Sequence, residues 1–295
     1  MRTLGLAVAS ALLVVAASAL AAPNDLVLND LVLRNADGTP QTNPDTGLVM
    51  GDQVAFQALT TELGQVFAPR PLTAAETPGH AGFDIGIDYT LHFINSQQSY
   101  WTRTAERALE GRAMPPLFQT LGVRVRKGLP FSLEVGGGGQ YLFESHMFAV
   151  GADAKWSLNE GFIWFPDLAL LFSVNRLIGN DQIDLTMGAA GAELSKTFGL
   201  FGMMRLCPYA GYNFVVINAA SAVIDPDESS SDNIGGNFTF DQIPMFGPSA
   251  VNGFHRAFVG LLIGSFIFDL SVEGDFNFAG AQAVHQLGFK LALDF

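Results

Sequence analysis

From Ala81 to the last residue, apolar side chains recur at every second position in one segment after another, and glycine, proline, asparagine or serine separates the segments. Period two is the pattern of a strand with two unlike faces. Ten such segments can be read, roughly 82–94, 116–127, 129–142, 146–158, 163–177, 182–195, 199–217, 251–264, 266–276 and 283–295. Their lengths match the ~9 to 11 residues of a tilted membrane strand or run somewhat longer. The links alternate in size. "KGLP", "NEG", "SKTF" and "GS" are tight, whereas the interleaved links include 95–115 and the long 218–250. Short turns on one side and longer connections on the other are the plan of a bacterial membrane barrel, with the short turns and both ends of the strand array facing the periplasm.

The start of the chain fits that plan. Met1 and Arg2 precede an apolar run from Leu4 to Leu20 that ends in "SALAAP" (Ser18 to Pro23), the build of a secretory leader, with cleavage expected after Ala21 or Ala22. The chain is 49% hydrophobic and only 15% charged, with 25 Phe and 32 Gly, and its mean hydropathy of +0.28 suits a membrane protein. Beyond the leader, no apolar run reaches the ~18 to 20 residues of a membrane helix. "AFVGLLIGSFIF" (Ala257 to Phe268) comes closest and is divided by Gly264-Ser265. Since a bilayer admits only helices or closed barrels, the reading is all-β: a transmembrane antiparallel up-and-down β-barrel of about ten strands, with eight or twelve as the neighbouring counts, preceded by a short N-terminal helix. Residues 1–22 are then the leader, 23–80 an N-terminal periplasmic segment and 81–295 the barrel.

The chain ends "HQLGFKLALDF", with Leu287, Phe289, Leu291, Leu293 and Phe295 on one face. This stripe with its terminal Phe resembles the C-terminal signal of Gram-negative outer-membrane β-barrels, which that superfamily presents to the barrel-assembly machinery. The resemblance extends over 81–295 as architecture and singles out no one family within it. It implies residence in the outer membrane, with outer-membrane lipid and the assembly machinery as partners.

The alternation assigns faces. Phe83, Ile85, Ile87, Tyr89, Leu91 and Phe93 turn to lipid, as do Leu168, Leu170, Phe172 and Val174; Trp156, Trp164, Phe198, Tyr141 and Tyr212 suit interfacial girdles. The opposite face gathers Asp84, Asp88, Arg124, Arg126, Glu134, Asp269, Glu273 and Lys290, together with His92, Asp153 and Lys155. On neighbouring strands Arg124 and Arg126 fall between Asp84/Asp88 and Glu134, and Lys290 between Asp269/Glu273 and Asp84/Asp88. Mixed charge of this kind either neutralises itself, because an unpaired charge is costly in a narrow interior, or forms a polar constriction that screens solutes. Gly86, Gly122, Gly136, Gly138, Gly151, Gly188, Gly260 and Gly288 are assigned inward, where they give curvature or leave room for something to approach closely.

Ahead of the strands, "NDLVL" occurs at Asn24 and again at Asn29, and a turn-rich stretch covers Asn35 to Gly47. "GDQVAFQALTTELGQVF" then offers Asp52 as N-cap and sets Phe56, Leu59, Leu63, Val66 and Phe67 at helical spacing. "TAAE" (Thr73 to Glu76) resembles a second capping box, cut short by Pro78 and Gly79. The helix is too short to span a bilayer, so its apolar stripe needs a partner: the barrel lumen or its periplasmic mouth if it is a plug, or another surface if it is a soluble periplasmic helix.

Candidate chemistry is sparse. Ser145-His146, His92 above Asp88, and His255 lie towards the outer rim, but none has a spacing that points to catalysis. "DPDESSSD" (Asp225 to Asp232) offers carboxylates to a hard cation without an EF-hand pattern and reads as a solvated loop. The single Cys207 cannot form an intramolecular disulfide. Without Arg2 the chain carries 14 basic and 28 acidic residues, which argues against nucleic acid as a partner. No cofactor or metal is called for, and an enzyme is not the expected class. Three functions remain: a small pore or solute-uptake barrel passing small solutes through a charged lumen, a closed structural or adhesion barrel presenting 218–250, and a hydrolase at the outer rim.

Overall fold

The computed structural model describes residues 22–162, 164–200, 202–226, 237–247 and 251–295; the leader and most of Asp225–Asp232 lie outside these. The strands are β1 (Phe83–Phe93), β2 (Leu117–Leu129), β3 (Leu133–Leu142), β4 (Phe148–Asn159), β5 (Asp167–Ile178), β6 (Ile183–Ser195), β7 (Phe198–Leu200), β8 (Met204–Ser221), β9 (Gly253–Ser265), β10 (Phe268–Phe278) and β11 (His285–Asp294). Each pairs antiparallel with its sequence neighbour, β1 pairs with β11, and β6 pairs with β8, so the sheet closes on itself. The three-residue β7 only extends the turn into β8, leaving ten strands in the barrel wall. All ten expected segments are strands. At β3 the expected start at 129 moves to Leu133, because Phe131 and Ser132 take positive φ values of 65° and 57° in the turn.

The alternation sorts as lipid demands. Ile87, Leu121, Val123, Phe172, Val259, Leu270 and Leu291 are exposed on the outer face, while the residues between them are mostly buried inside. Gly188 is a correction. It pairs with Val174 and Val216 on the outward face, because β6 turns its odd-numbered residues, Leu185, Met187, Glu193 and Ser195, into the barrel. At the short-turn end the tips are apolar: Phe131, Trp164, Phe165 and Phe266 are among the most exposed side chains of the molecule. Phe266, like Phe131, holds a positive φ of 54°, which is strained for a bulky residue. Aromatic tips belong at a membrane interface rather than in water.

The chain ends inside this closure. Phe83 N donates to Phe295 O at 2.7 Å, Phe295 N to Phe83 O at 3.0 Å, and the two rings stack with centroids 6.1 Å apart. Deleting Phe295 removes both bonds, worth about 0.5–1.5 kcal/mol each, and the last group of the lipid-facing stripe. Folded yield should fall, read as loss of the heat-modifiable band in the outer-membrane fraction; a wild-type yield would count against the terminal stripe as an assembly element.

Helix α1 (Gln53–Phe67) begins where the side chain of Asp52 accepts from Ala55 N at 3.0 Å and stops at Ala68, just before Pro69, whose ring cannot continue a helix. Link 94–116 contains two short helices, α2 (Ser99–Thr104) and α3 (Glu106–Leu109), that its sequence did not announce. "TAAE" is not helical; its backbone bonds to barrel-wall side chains instead.

Candidate functional site

Helix α1 lies in the barrel half that carries the long links, where the wall is apolar. Phe56, Leu59, Leu63, Val66 and Phe67 are fully buried in one cluster with Phe118, Leu142, Met147, Leu185, Met187, Val215, Ile217 and Phe254. Packing is tight: a Cβ on Gly64 would come within 2.6 Å of Ile217. Phe56 also stacks on Phe240, centroids 4.3 Å apart. Gln65 fixes the helix end, since its side chain donates to Gln282 O at 2.6 Å and accepts from Val284 N at 2.8 Å, and its carbonyl accepts from Gln286 at 2.6 Å. Of the places expected for it, the helix takes the lumen. The apolar stripe goes to an apolar stretch of lumen wall at the far end from Phe83 and Phe295.

The chain must therefore return through the lumen to begin β1, and it does so as a strap, residues 68–77. Its sequence, "APRPLTAAET", is suited to this: Pro69 and Pro71 favour extended backbone and offer carbonyls without N–H groups. The wall meets those carbonyls with donors. Arg256 donates to Pro69 O at 2.5 Å, Arg124 to Arg70 O at 2.6 Å, Arg126 to Pro71 O at 2.6 Å, Lys155 to Ala74 O at 2.8 Å and Glu76 O at 2.9 Å, and Ser157 to Ala75 O at 2.7 Å. The strap N–H groups find acceptors too: Leu72 N donates to Glu273 at 3.2 Å, Ala75 N to Ser195 Oγ at 3.1 Å and Thr77 N to Glu160 at 3.0 Å. Leu72 adopts a φ of 47° and is buried against β11, where Gly288 makes room. A Cβ there would lie 2.7 Å from Arg70 Nη1 and 2.9 Å from Leu72 Cδ2.

The lumen charges are held around this strap. Lys290 reaches both Asp84 oxygens at 2.7 Å. Arg126 lies 3.3 Å from Glu134 and 3.1 Å from Asp153, and Lys155 lies 2.9 Å from Glu134. Arg124 pairs with Asp153 at 3.4 Å rather than with Asp84 or Asp88; Asp88 instead faces Arg70 of the strap at 3.6 Å. Arg205 bonds Asp269 at 2.6 Å and Arg256 faces Asp275 at 3.8 Å. The expected cluster is therefore assembled, but its centre includes Arg70, Asp153, Lys155, Glu193, Arg256 and Asp275 as well. Three cavities beside the strap measure about 30, 20 and 10 Å³, room for single waters.

With an apolar outer face, a charged interior and a ladder closed on itself, this sheet is built for hydrocarbon. The chain has the fold of a transmembrane β-barrel. No family model matches it, and no curated protein matches it in sequence. Solved structures similar to this barrel include LpxR from Salmonella typhimurium (8% identity, TM-score 0.36, covering 72% of this chain and 99% of that one). The translocator domain of autotransporter NalP from Neisseria meningitidis is another (12% identity, TM-score 0.35, 82% and 96%), as is Ail of Yersinia pestis (10%, 0.29, 73% and 99%). Likeness at these values assigns no activity to the barrel.

The rim candidates are dispersed. Ser145 Oγ donates to Leu142 O at 2.9 Å and accepts from Met147 N at 3.0 Å, a turn bonded to itself. His146 Nδ1 meets Asp25 at 2.5 Å and ties the N-terminal segment to the β3–β4 turn. His92 is buried against Thr120 Oγ1 at 2.8 Å, while His255 lies on the outer face beside Tyr212 and Phe214. Among the described residues no group of three or more metal-ligating side chains stands together.

Glu62, on α1, was not foreseen. It is fully buried and accepts from Tyr100 at 2.5 Å and Trp101 at 2.7 Å, both on α2. Burial raises its pKa above the ordinary 4.5, outweighing the two donors. An acid whose pKa is raised by folding stabilises the fold fully below its ordinary pKa and loses that contribution as pH climbs through the raised value. Glu62→Gln should therefore gain stability relative to wild type as pH rises from about 4.5. Urea midpoints at pH 4 to 8 check this; a constant difference would refute it.

Proposed function

We propose that the protein is a closed barrel that anchors an outward platform, made of residues 22–52, link 94–116 and the described residues 222–226 and 237–247 of the β8–β9 link, and that it works as a structural or adhesive surface element rather than as a standing pore. The carrying observation is the strap, hydrogen-bonded along its length to side chains of five strands, β2, β4, β6, β9 and β10, with spaces of water size beside it. A passive pore needs a continuous wet path, and a plug clamped through its backbone removes it. The platform is itself bonded together: Arg103 donates to Asp52 at 3.0 Å and to the Asp30 and Val32 carbonyls at 3.1 and 2.5 Å.

Purified full-length protein in a planar bilayer should give no stepwise conductance over the voltage range a bilayer tolerates, and liposomes carrying it should retain small sugars. Steady ohmic steps from the intact chain would return the pore reading to first place. A gated uptake channel is the second reading, favoured by Glu193: it is 1% exposed, yet neither of its oxygens has a hydrogen bond, as in a wall prepared for water.

A further inference from the structure

Residues 22–28 are fastened to three separate connections at the long-link end. Asn24 N donates to Glu144 O at 2.8 Å in the β3–β4 turn, Leu28 N to Gln182 at 2.5 Å in the β5–β6 turn, and Val27 N to Thr104 O at 2.8 Å in the β1–β2 link. Phe83 and Phe295 lie together at the other end, where the turns are 130–132, 160–166 and 266–267 and the tips are aromatic. Strap residues 68–82 can span roughly 50 Å when extended, enough to cross the wall once. The start of the described chain and its end therefore lie on opposite sides of the membrane. Short turns face the periplasm in barrels of this kind.

We propose that the barrel carries its own N-terminal segment across the outer membrane, so that residues 22–52 are delivered to the cell exterior and displayed there, while α1 and the strap remain in the lumen as the track of that passage. This deepens the closed-platform reading and rests on it for the identity of the displayed surface. The geometry favours closure around a threaded chain. Residues 22–52 pack into a platform cross-linked to three loops, and a finished barrel with a lumen filled by α1 and the strap offers no path by which such a body could later pass. The presented part is the hairpin between Val32 and Gly51, whose bridges pair Arg34 with Pro40 and Thr42 with Val49. Its tip, Asp45 to Gly47, is exposed.

The test is thiol labelling of intact cells with a membrane-impermeant maleimide, using the full chain, whose native Cys207 is buried. Asp45→Cys, at the hairpin tip, should label on intact cells. Met203→Cys, 64% exposed at the short-turn end, should label only after the outer membrane is permeabilised. Equal labelling of the two, an inverted pattern, or no labelling of Asp45→Cys in intact cells would each overturn the proposal. Heat-modifiable migration of both variants, measured in parallel, establishes that the barrel folded. A chain that conducts but labels at Asp45→Cys leaves display standing and defeats the closed reading; a silent chain that fails to label defeats display alone.

Discussion

A chain lacking residues 23–80 should still form its ten-stranded barrel and should conduct, giving discrete steps in a planar bilayer where the full chain gives none. Every strand pairing that closes the wall lies outside the deleted stretch. Several lumen ion pairs are made between wall residues alone, including Lys290 with Asp84, Arg126 with Glu134 and Asp153, and Lys155 with Glu134. Such pairs survive hydration, because water replaces the strap carbonyls as acceptor. What is lost is an extended chain about 5 Å by 10 Å in section, together with the helix that closes the outer half. The apolar wall around Leu185, Val215 and Ile217, buried now by α1, is the part that suffers, so the deletion should fold with a reduced thermal midpoint. A folded but silent deletion would mean that the long links close the lumen without the strap.

Arg126→Ala should be the most damaging single lumen substitution. The side chain is 2% exposed, contacts Glu134 and Asp153, and donates to Pro71 O. Its removal leaves a buried excess of carboxylate and an unmet strap carbonyl. Breaking a buried pair from one side costs about 3–5 kcal/mol, which would shift the urea midpoint of the folded band well below wild type. Combining Arg126→Met with Glu134→Gln should recover part of that loss, because the partner is no longer left charged. An Arg126→Ala midpoint equal to wild type would mean that this region of the lumen is wet enough to solvate Glu134 and Asp153 without help.

The wall was readable because lipid writes on sequence. An outward position must be apolar in every strand, so the period-two signal in Phe83 to Phe93 or Phe268 to Phe278 survives without any knowledge of neighbours. The inward face carries no comparable rule, and Gly188 was assigned to the wrong side because glycine leaves no mark on the alternation. The strap was invisible for a different reason. Its bonds run from wall side chains to backbone carbonyls, which any residue supplies, and its partners are spread from Arg124 to Arg256. The clue was indirect: Pro69 and Pro71 ahead of the first strand. The helix was legible from Phe56 to Phe67, but its side of the membrane was not. Chain order places it next to β1, whereas burial places it at the opposite end, and only the extended reach of residues 68–82 reconciles the two.

Oxidative cross-linking of the strap to the wall tests the account most directly. Ala75 N lies 3.1 Å from Ser195 Oγ, so Ala75→Cys with Ser195→Cys, in a Cys207→Ser background, places two thiols side by side inside the lumen. In outer-membrane preparations that have never been unfolded, mild oxidation should join residues 75 and 195 and shift the band seen without reductant. Two thiols that instead remain separate under oxidant, while both react freely with a small water-soluble reagent, would mean that the lumen does not hold the strap.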